Sequence, residues 1–354
     1  MSDTLRDHIE AWGGESVVIS YDSPTGTWMF IALHDTRHGP ATGGTRMKTY
    51  PAIEDGLVDA LRLGEGMTYK WAGVGMPFGG GKAVLATPGP LDDDARNGLL
   101  DRYGELLVSL RGSFRTGVDM GTNPEDLARV DRGVGTVMGI VDGHSQDPGP
   151  YTALGVFVGI QAALSQKLGS PSLTGRSVLV EGVGDVGRPL AEMLSEAGAA
   201  VILADIDPGA AKALARRIGA EVVAPADSHE TPVDVYAPCA VGATLNPDTV
   251  PRLRCGVVAG SANNQLLTPA DADALHERGI LYAPDYIINA GGAIAFGHMA
   301  GGMDARSELE AEVRKIGPTL TGIFVEAAVA GQSPFHAAKR LAERFLDTER
   351  GPRE

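Results

Sequence analysis

The amino-acid sequence predicts an α/β protein built from two domains. Its 354 residues are more than a single hydrophobic core usually organises. From residue 153 onward, short apolar runs alternate with helix-length segments, a pattern typical of a parallel, doubly wound sheet. The composition changes at 142–150 (DGHSQDPGP), where we place the boundary. One domain is therefore predicted over 1–145 and the other over 146–329, with a C-terminal helical segment, 330–354, that packs back on the first domain.

The composition excludes several kinds of partner. Acidic residues outnumber basic ones by 45 to 30 and no basic stripe is present, so we do not expect nucleic acid to bind. No apolar run approaches the length that crosses a bilayer, and the charged N-terminal segment does not resemble a secretion signal. Cys239 and Cys255 are the only cysteines, which suits a reducing compartment and provides neither a disulfide framework nor a metal cluster. These features predict a cytoplasmic protein without a metal site or a membrane partner.

The first domain is predicted to contain both strands and helices. A turn at 23–26 (SPTG) joins its first two strands, and apolar residues at helical spacing follow Pro51 as far as Met67. Asn123 is a good cap for the last helix of the domain, with Pro124 at its first position. The predicted elements are, in order, strands at 16–21 and 28–33, a helix at 53–67 that leads to Lys70, a strand at 83–85, a helix at about 93–110, a strand-like segment that ends at Asp119, and a helix that opens at 123–125.

The second domain is predicted to begin with a helix at about 153–167 and to continue with short strands separated by helices. Its predicted strands are 177–181, 201–205, 221–223, 233–237, 256–259 and 280–283. Two further helices are predicted near the C terminus, at about 305–329 and 333–347.

Two lysines with no acidic residue between them give the strongest chemical signal in the first domain. Lys70 lies between Tyr69 and Trp71, and Lys82 follows three consecutive glycines and leads into a short apolar strand. Burial disfavours the charged form of a lysine, and a nearby second ammonium group disfavours it further. We hypothesise that one lysine stays charged and holds a carboxylate while the other loses its proton and acts as a base. The alternative is a pair of exposed lysines at the rim of a glycine-rich loop, but the glycines favour a close approach to the backbone.

A dinucleotide site is predicted in the second domain. The pattern Gly182-x-Gly184-x-x-Gly187 lies between a strand and an amphipathic helix, where glycines permit a tight turn, contact with a pyrophosphate, and packing of the helix on the strand. The start of the helix favours the negative phosphates. Asp205 ends the next strand, and its carboxylate would bind ribose hydroxyls and repel a 2′-phosphate, a repulsion to which Asp207 adds. The pattern therefore predicts a Rossmann domain that binds NAD rather than NADP.

Seven segments give the sequence a resemblance to a known family. They are GPATGGTRM (39–47), MTYKWAGVGMPFGGGKAVL (67–85), TGVDMGTN (116–123), EGVGDVG (181–187), YAPCAVGATLN (236–246), AGSANNQL (259–266) and YAPDYIINAGGAI (282–294). Together they resemble the Glu/Leu/Phe/Val dehydrogenases, and the chain length is similar to the leucine, valine and phenylalanine branch. The resemblance implies reversible, NAD-dependent oxidative deamination of an L-amino acid to a 2-oxo acid and ammonia. It also implies an N-terminal α/β domain for substrate binding and homo-oligomerisation, a Rossmann domain, and a cleft between them.

The resemblance further implies roles for individual residues. Lys70 would bind the substrate α-carboxylate, Lys82 would be the base that activates water against the imino intermediate, and Asp119 would engage the substrate amino group and move protons. Gly43 and Gly44 would line the substrate through their backbone. The residues that would hold the cofactor are Thr152, Gly182, Gly184, Asp185, Val186, Gly187, Asp205, Cys239, Ala240, Asn263 and Asn264.

Four positions suggested by the resemblance bear on the substrate side chain, namely Thr42, Gly117, Ala293 and Phe296. Glutamate enzymes of the family carry a lysine at the position of Thr42, and without it the second carboxylate of glutamate would be desolvated without a partner. An apolar substrate is therefore expected. Gly117 and Ala293 are small and resemble the phenylalanine branch, whereas Phe296 would close that space or stack on a ring. These residues favour a bulky aliphatic or aromatic amino acid, with leucine and valine close behind.

Other functions stay open at the level of sequence. A hydroxy-acid dehydrogenase would also bind NAD, but it commonly uses a histidine base and an arginine for the carboxylate, where this chain offers lysines. A biosynthetic relative that couples a 2-oxo acid, or a catalytically silent NAD-binding regulator, would share the Rossmann domain. His144 and His298 are interpreted as loop histidines rather than metal ligands, because neither has a second metal-type residue at helical spacing.

Overall fold

The architecture is that of a computed structural model, which describes residues 3–131, 135–141 and 144–348. The chain forms two compact units. The first contains residues up to 147, 296–304, and the segment from 342 onward, and the second contains 148–295 and 305–341. These ranges differ from the predicted domains in three places, because 146–147 and 296–304 group with the first unit and 330–341 with the second.

The first unit combines helices with a mixed β-sheet. Its helices are α1 (Asp3–Trp12), α2 (Ile53–Gly73), α3 (Asp93–Ser109) and α4 (Pro124–Asp131). Its strands are β1 (Ser16–Asp22), β2 (Thr27–Asp35), β3 (Ala41–Thr42), β4 (Thr45–Lys48), β5 (Gly79–Ala86), β6 (Phe114–Arg115), β7 (Ile140–Val141) and β8 (His144–Ser145). The main sheet has the order β1-β2-β5-β3-β6, and β4 also pairs with β5. The predicted hairpin of β1 and β2 is confirmed, since these strands pair antiparallel.

The main sheet of the first unit has a different core on each face. On β2, Phe30 packs in a core formed with α2, whereas the next residue, Ile31, packs in a core formed with α3. This alternation follows from the two-residue period of a strand. On β5, Val84 belongs to the core on the α2 side, so Lys82, two residues earlier, is directed to the same side.

Strand β5 begins earlier than predicted, at Gly79, so its three glycines are part of the sheet and not a loop. A Cβ atom on Gly80 would lie 2.2 Å from the backbone nitrogen of Thr68 in α2, and one on Gly79 would lie 2.1 Å from the carbonyl oxygen of Asp35. The glycines therefore let the helix and the neighbouring chain approach the strand closely. The close approach predicted from the glycines is confirmed, and the approaching group is the backbone of the protein itself.

The second unit is built around a parallel sheet. Its strands are β9 (Ser177–Glu181), β10 (Ala200–Ala204), β11 (Glu221–Val222), β12 (Val233–Pro238), β13 (Cys255–Val258) and β14 (Leu281–Tyr282). The helices from its start to the end of the chain are α5 (Gly149–Leu168), α6 (Gly187–Glu196), α7 (Pro208–Ile218), α8 (Pro269–Glu277), α9 (Asp285–Ile288), α10 (Gly291–Ala300), α11 (Arg306–Arg314), α12 (Ile316–Ala330) and α13 (Pro334–Leu346).

The strand order of this sheet is β11-β10-β9-β12-β13-β14, and every pair in it is parallel. The chain therefore builds outward from β9 in one direction and then returns to build outward from β12 in the other. This is the order of a Rossmann domain, in which ligands bind at the carboxyl ends of the two central strands. The predicted doubly wound sheet is confirmed.

The C-terminal helices differ from the prediction. The single helix predicted at about 305–329 is divided into α11 and α12, which meet at Lys315. Pro318 explains the division, because proline has no backbone N–H to continue the hydrogen bonds of α11 and is well accepted in the first turn of α12. Within the described ranges, no helix combines the length and the apolar character that a membrane span needs.

Candidate active site

Lys82 lies in the central strand of the first unit, on the face that α2 covers. Its relative exposure is only 4%. Its Nζ atom donates a hydrogen bond to Oδ1 of Asp119 at 2.6 Å. The alternative interpretation of an exposed lysine at a loop rim is therefore wrong for this residue, because the side chain is enclosed by the sheet and the helix.

Asp119 is held in place by the turn that follows β6. Its backbone N–H donates to Oγ1 of Thr122 at 3.1 Å, and the Thr122 hydroxyl donates to the carbonyl oxygen of Thr45 at 2.9 Å. The second carboxylate oxygen, Oδ2, accepts a hydrogen bond from Nε of Arg46 at 2.8 Å. The carboxylate thus lies between two cationic side chains, with one oxygen bonded to Lys82 and the other to Arg46.

The pKa values of Lys82 and Asp119 are both lowered, but by different causes. Burial lowers the pKa of Lys82, because a desolvated ammonium group is disfavoured, and Arg46 lowers it further against the opposing effect of Asp119. Burial by itself would raise the pKa of Asp119, but Lys82 and Arg46 outweigh it and lower that pKa from 3.8 to about 2. The sequence analysis expected a second ammonium group to help to lower the pKa of the buried lysine, whereas the cation that lowers the pKa of Lys82 here is the guanidinium of Arg46.

Lys70 lies in the last turn of α2 and is half-buried. Two residues earlier in the helix, Thr68 packs on Gly80, and Gly80 in turn lies two residues before Lys82 in β5. Each lysine therefore stands two residues from the contact that joins the helix to the strand.

Gly43 and Gly44 occupy positions that no side chain fits. A Cβ atom on Gly43 would lie 1.9 Å from the carbonyl oxygen of Gly81, and one on Gly44 would lie 2.8 Å from Cβ of Asp119. The two glycines therefore bring the loop between β3 and β4 against both the strand that carries Lys82 and the turn that carries Asp119.

Thr42 is 2% exposed, and its hydroxyl is already engaged within the protein. The hydroxyl donates to the carbonyl oxygen of Pro40 at 2.8 Å, while the carbonyl oxygen of Thr42 accepts from the indole N–H of Trp71 at 2.9 Å. The hydroxyl group of this side chain is thus hydrogen-bonded to the backbone. This lowers the free-energy cost of burying it next to an apolar group.

Gly117 and Phe296 both lie beside two consecutive residues of the first unit, Met138 and Gly139. A Cβ atom on Gly117 would meet Met138 at 3.9–4.0 Å, an ordinary contact that leaves room for one methyl group. The next residue, Gly139, has a positive φ of 78°, and a Cβ there would lie 2.5 Å from the ring of Phe296. Phe296 is 7% exposed, so its ring is packed on this segment.

In the second unit, the local geometry requires glycine at two of the three glycine positions in the turn after β9. Gly182 has a φ of +97°, which other residues rarely adopt, and its Cβ would lie 3.0 Å from the backbone nitrogen of Ala240. A Cβ on Gly187 would lie 1.8 Å from the carbonyl oxygen of Gly182, so only glycine lets α6 start this close to the strand. Gly184 is exposed and a Cβ there would meet no atom within 4 Å.

The residues around this turn lie at the switch between β9 and β12. Val186 is the N-cap of α6, and Asp185 before it is exposed. The backbone N–H of Cys239, directly after β12, donates to the carbonyl oxygen of Glu181 at 2.7 Å. Ala240 then lies against Gly182, as its contact distance shows. The structure therefore brings Cys239 and Ala240 against Gly182 of the turn.

Asp205 is fixed beside the glycine turn. Its Oδ2 accepts from the backbone N–H of Val183 at 2.7 Å, and its Oδ1 accepts from the backbone N–H of Asp207 at 2.7 Å. Val183 lies between the first two glycines of the turn, so the carboxylate is anchored to the turn itself. Asp207 is the N-cap of α7, a structural task that the sequence did not suggest.

The asparagine pair lies in the loop after β13. Oδ1 of Asn263 accepts from Nδ2 of Asn289 at 2.8 Å, and the same Nδ2 lies 3.1 Å from the carbonyl oxygen of Ser261. Asn264 has a positive φ of 50°, and its carbonyl oxygen accepts from the backbone N–H of Ala243 at 2.7 Å. Asn289 is 6% exposed and therefore acts as a buried support for Asn263.

Thr152 connects two helices of the second unit. Its hydroxyl donates to the carbonyl oxygen of Pro148 at 3.0 Å and accepts from the backbone N–H of Gly292 at 3.2 Å. Ala293 follows in α10 and is half-buried. The structure thus brings Thr152 close to the segment that carries Ala293.

The predicted histidine positions need correction. His144 lies in strand β8 and His298 in the last turn of helix α10, so neither is a loop histidine. In the part of the chain that the structure describes, no group of His, Cys, Asp and Glu side chains has the arrangement of a metal site.

Comparison with known proteins identifies the family. The model for "Glu/Leu/Phe/Val dehydrogenase, dimerisation domain" matches residues 21–134, and the model for "Glutamate/Leucine/Phenylalanine/Valine dehydrogenase" matches residues 209–315. Leucine dehydrogenase of Geobacillus stearothermophilus is 38% identical over 351 residues, covering 99% of this chain and 95% of that protein. The chain belongs to the Glu/Leu/Phe/Val dehydrogenase family.

Two further relatives widen the range of substrates within this family. Phenylalanine dehydrogenase of Lysinibacillus sphaericus is 38% identical over 340 residues, covering 94% of this chain and 88% of that protein. The crystal structure of L-tryptophan dehydrogenase from Nostoc punctiforme has a TM-score of 0.80 and 39% identity, covering 97% of this chain and 99% of that chain.

Family members are pyridine-nucleotide dependent. The chain is therefore an amino-acid dehydrogenase that oxidatively deaminates apolar L-amino acids, and the hydroxy-acid, coupling and silent alternatives are set aside.

Sequence reasoning missed several residues that the structure places beside the candidate site residues. Arg46 carries a signal that was available, a cation two residues after the paired glycines, but its partner Asp119 is far away in the chain. Asp59 of α2 gave no signal, since acidic residues on a helix are usually solvated. Asn289 and Met138 gave none either, because only the folded chain puts them beside Asn263 and Gly117.

Proposed function

We propose that this dehydrogenase uses NAD to deaminate bulky apolar or aromatic L-amino acids, with Lys82 as the catalytic base and Asp119 as its proton-transferring partner. The observation that carries this proposal is the buried contact of 2.6 Å between Lys82 and Asp119, in which Lys82 has a lowered pKa and Asp119 stays ionised. A lysine becomes an effective base near neutral pH when burial weakens its hold on the proton.

The residues of the second unit fit a dinucleotide. The open space at Gly184 allows a pyrophosphate to approach the backbone, and the start of α6 directs its dipole and backbone N–H groups at negative charge. Gly182, Asp185, Val186 and Gly187 form the turn, and Cys239, Ala240, Thr152, Asn263 and Asn264 complete the proposed cofactor residues. When bound, the nicotinamide accepts the hydride that leaves the substrate Cα.

Asp205 supports NAD as the preferred cofactor. A carboxylate after the second strand of a Rossmann unit accepts hydrogen bonds from ribose hydroxyls and repels a 2′-phosphate. The two backbone N–H groups that bind Asp205 hold its carboxylate beside the glycine turn, so the repulsion acts at a fixed place.

The proposed steps divide the chemistry between three side chains. Lys70, as a cation, binds the substrate α-carboxylate and fixes the direction of Cα. Lys82 removes a proton from the water that attacks the imino carbon, which gives a carbinolamine. Asp119 holds the substrate amino group and then passes protons as the C–N bond breaks and ammonia leaves. Gly43 and Gly44 line the substrate through their backbone.

The positions around the substrate side chain support a large apolar group. Thr42 places no charge there, and its hydroxyl is bonded to Pro40, so glutamate would bury a carboxylate without a cation. Gly117 leaves room beside Met138, and Phe296 offers a ring packed on Gly139. Ala293 adds a small side chain on α10.

A homo-oligomer and a cytoplasmic location form part of the proposal. The family model that matches residues 21–134 is described as a dimerisation domain. Strand β1 is the edge of the first unit's sheet, and Ile19 and Tyr21 on it are 48% and 53% exposed. An edge strand with exposed apolar side chains favours pairing with another copy. Cys239 and Cys255 are free thiols, which suits a reducing compartment.

A substrate panel tests the proposal directly. Leucine, valine, phenylalanine, tryptophan and glutamate are each assayed with NAD and with NADP, and the matching 2-oxo acids are assayed with NADH with and without ammonia. We expect the bulky apolar amino acids to exceed glutamate, NAD to exceed NADP, and NADH oxidation to require ammonia. Faster turnover of glutamate, or oxidation of NADH without ammonia, would contradict the proposal.

A further inference from the structure

A chain of alternating charges leads away from Lys82 through the first unit. Lys82 bonds to Asp119 at 2.6 Å, Asp119 to Arg46 at 2.8 Å, and Arg46 to Asp59 at 2.9 Å. The Tyr50 hydroxyl donates to the same oxygen of Asp59 at 2.7 Å. The side chains of the four charged residues are each 15% exposed or less. Such a buried network is stable only when every member is paired.

We propose that Arg46 and Asp59 are positioning residues of the dehydrogenase reaction, which fix the orientation of Asp119 and set the pH at which Lys82 loses its proton. This inference rests on the proposed role of Lys82 as the base. Neither residue is placed in contact with substrate or cofactor, so both act through Asp119.

The geometry of Arg46 suits this task. Its Nε bonds to Asp119 and its Nη1 bonds to Asp59, so the planar guanidinium group is held by one carboxylate at each of two positions. Arg46 is on β4, Asp59 is on α2, and Asp119 follows β6, so the network joins three separate elements around Lys82 on β5. A lysine at position 46 would keep the charge but could not reproduce the fork.

The order of the charges predicts that loss of the charge of Arg46 and loss of the charge of Asp59 shift the pKa of Lys82 in opposite directions. The charged groups that act on Lys82 are Asp119 in direct contact, then Arg46, then Asp59. Removal of the positive charge of Arg46 would let Lys82 hold its proton more strongly, whereas removal of the negative charge of Asp59 would let it release the proton more easily. Loss of packing alone would not produce two shifts of opposite sign.

The outer end of the network supplies a matched control. A pocket of about 370 Å³ opens there, lined by residues that include Arg46, Tyr50, Asp59 and Arg62. Arg62 bonds to the other oxygen of Asp59 at 3.1 Å, but its side chain is 55% exposed. It therefore has the same charge and the same partner as Arg46 in a solvated place, where an ion pair contributes little.

The test measures kcat and KM of the full-length enzyme against pH, with leucine and phenylalanine as substrates. The variants are Arg46→Gln, Arg46→Lys, Asp59→Asn and, as control, Arg62→Gln.

We expect Arg46→Gln to lower kcat by about tenfold or more and to move the midpoint of the kcat/KM profile up by about one pH unit. Asp59→Asn should move the midpoint down, Arg46→Lys should recover part of the loss in kcat, and Arg62→Gln should leave the profile in place. The KM for NAD should stay within about twofold in all of them, because the network lies outside the proposed cofactor residues.

Several outcomes would overturn the inference. Midpoints of Arg46→Gln and Asp59→Asn that coincide with wild type, or that move in the same direction, exclude the positioning role. If Arg46→Gln does not fold, Asp59→Asn decides, and a midpoint that does not fall rejects the inference. Lys82→Met separates this from the proposed function, because turnover that survives in Lys82→Met refutes the base itself. An inactive Lys82→Met combined with unmoved profiles refutes only the role of Arg46 and Asp59.

Discussion

The charged cluster of the first unit and the glycine turn of the second are built in different ways. Lys82 and Asp119 are 37 residues apart and Arg46 and Asp119 are 73 residues apart, yet their side chains meet in one buried group. The glycine turn is one short segment, Gly182 to Gly187, and it acts through its backbone. One site therefore depends on which side chains are present, and the other depends on which are absent.

This difference has a physical basis. Side-chain charges give proton chemistry, which backbone cannot supply, but they must be desolvated and paired to work. A pyrophosphate needs only close approach and aligned N–H groups, which a glycine turn at a helix start provides. We expect substitutions in the charged cluster to remove turnover and spare cofactor binding, and substitutions in the turn to do the reverse.

The largest effect expected is that of Lys82→Met, which keeps the volume of the buried side chain and removes the amine. Turnover should fall by about 10²–10⁴-fold, the usual contribution of a general base. NAD affinity, measured by fluorescence or calorimetry, should be unchanged. A loss of NAD affinity as large as the loss of turnover would contradict the division of tasks between the charged cluster and the glycine turn, because the cluster would then be part of the cofactor site.

Two alanine substitutions in the glycine turn form a matched pair. In Gly187→Ala the new Cβ would lie 1.8 Å from the carbonyl oxygen of Gly182, so the backbone must shift, with a loss of about 1–3 kcal/mol of stability. In Gly184→Ala the Cβ enters open space, so thermal stability should match wild type while NAD affinity falls. Thermal unfolding and NAD titration of both variants check this. Equal stability of the two would show that the close approach at Gly187 is not needed for folding.

Asp205→Ser tests whether the carboxylate beside the glycine turn sets the preference for NAD over NADP. Loss of the carboxylate should lower kcat/KM with NAD by about 10–100-fold, because hydrogen bonds to a charged group contribute about 1.5–3 kcal/mol, and should raise kcat/KM with NADP. Asp207→Ser, in which serine retains the helix cap, should change the ratio in the same direction but less, because Asp207 only adds to the repulsion of the 2′-phosphate. An unchanged ratio of NAD to NADP activity in Asp205→Ser would contradict the proposed cofactor preference.

The smallest effect expected concerns acid stability. The pKa of Asp119 is lowered from 3.8 to about 2 in the folded protein, so its ionised form contributes stability that is present above pH 3.8 and is lost as the pH falls toward 2. In that window Asp119→Asn should lose stability with falling pH less steeply than wild type, by at most about 1.4 kcal/mol per pH unit. Urea unfolding midpoints between pH 5 and pH 2.5, roughly the span over which such a group titrates, check this. Exposed Asp304→Asn serves as control, and a wild-type slope in Asp119→Asn would count against the paired, ionised carboxylate.

Much of the fold was predictable because its signals are local. The strands of the second unit appear as short apolar runs, and each predicted strand there corresponds to an observed one within a few residues. The division of α11 from α12 at Lys315 was missed, although Pro318 carries the signal. The early start of β5 was missed because three glycines normally indicate a loop, and only the approach of Thr68 explains them in a strand.

The sequence by itself determined the parallel sheet of the second unit and the glycine turn with Asp205 after the next strand, and it singled out Lys82 as a candidate base. These follow from periodicity and spacing among residues that are neighbours in the chain. Only the tertiary structure decided that Arg46 and Asp59 surround Asp119 and that Asn289 supports Asn263. The physical reason is that the pairing of buried charges and amides depends on distances in space, and these are set by the packing of strands and helices that lie far apart in the sequence.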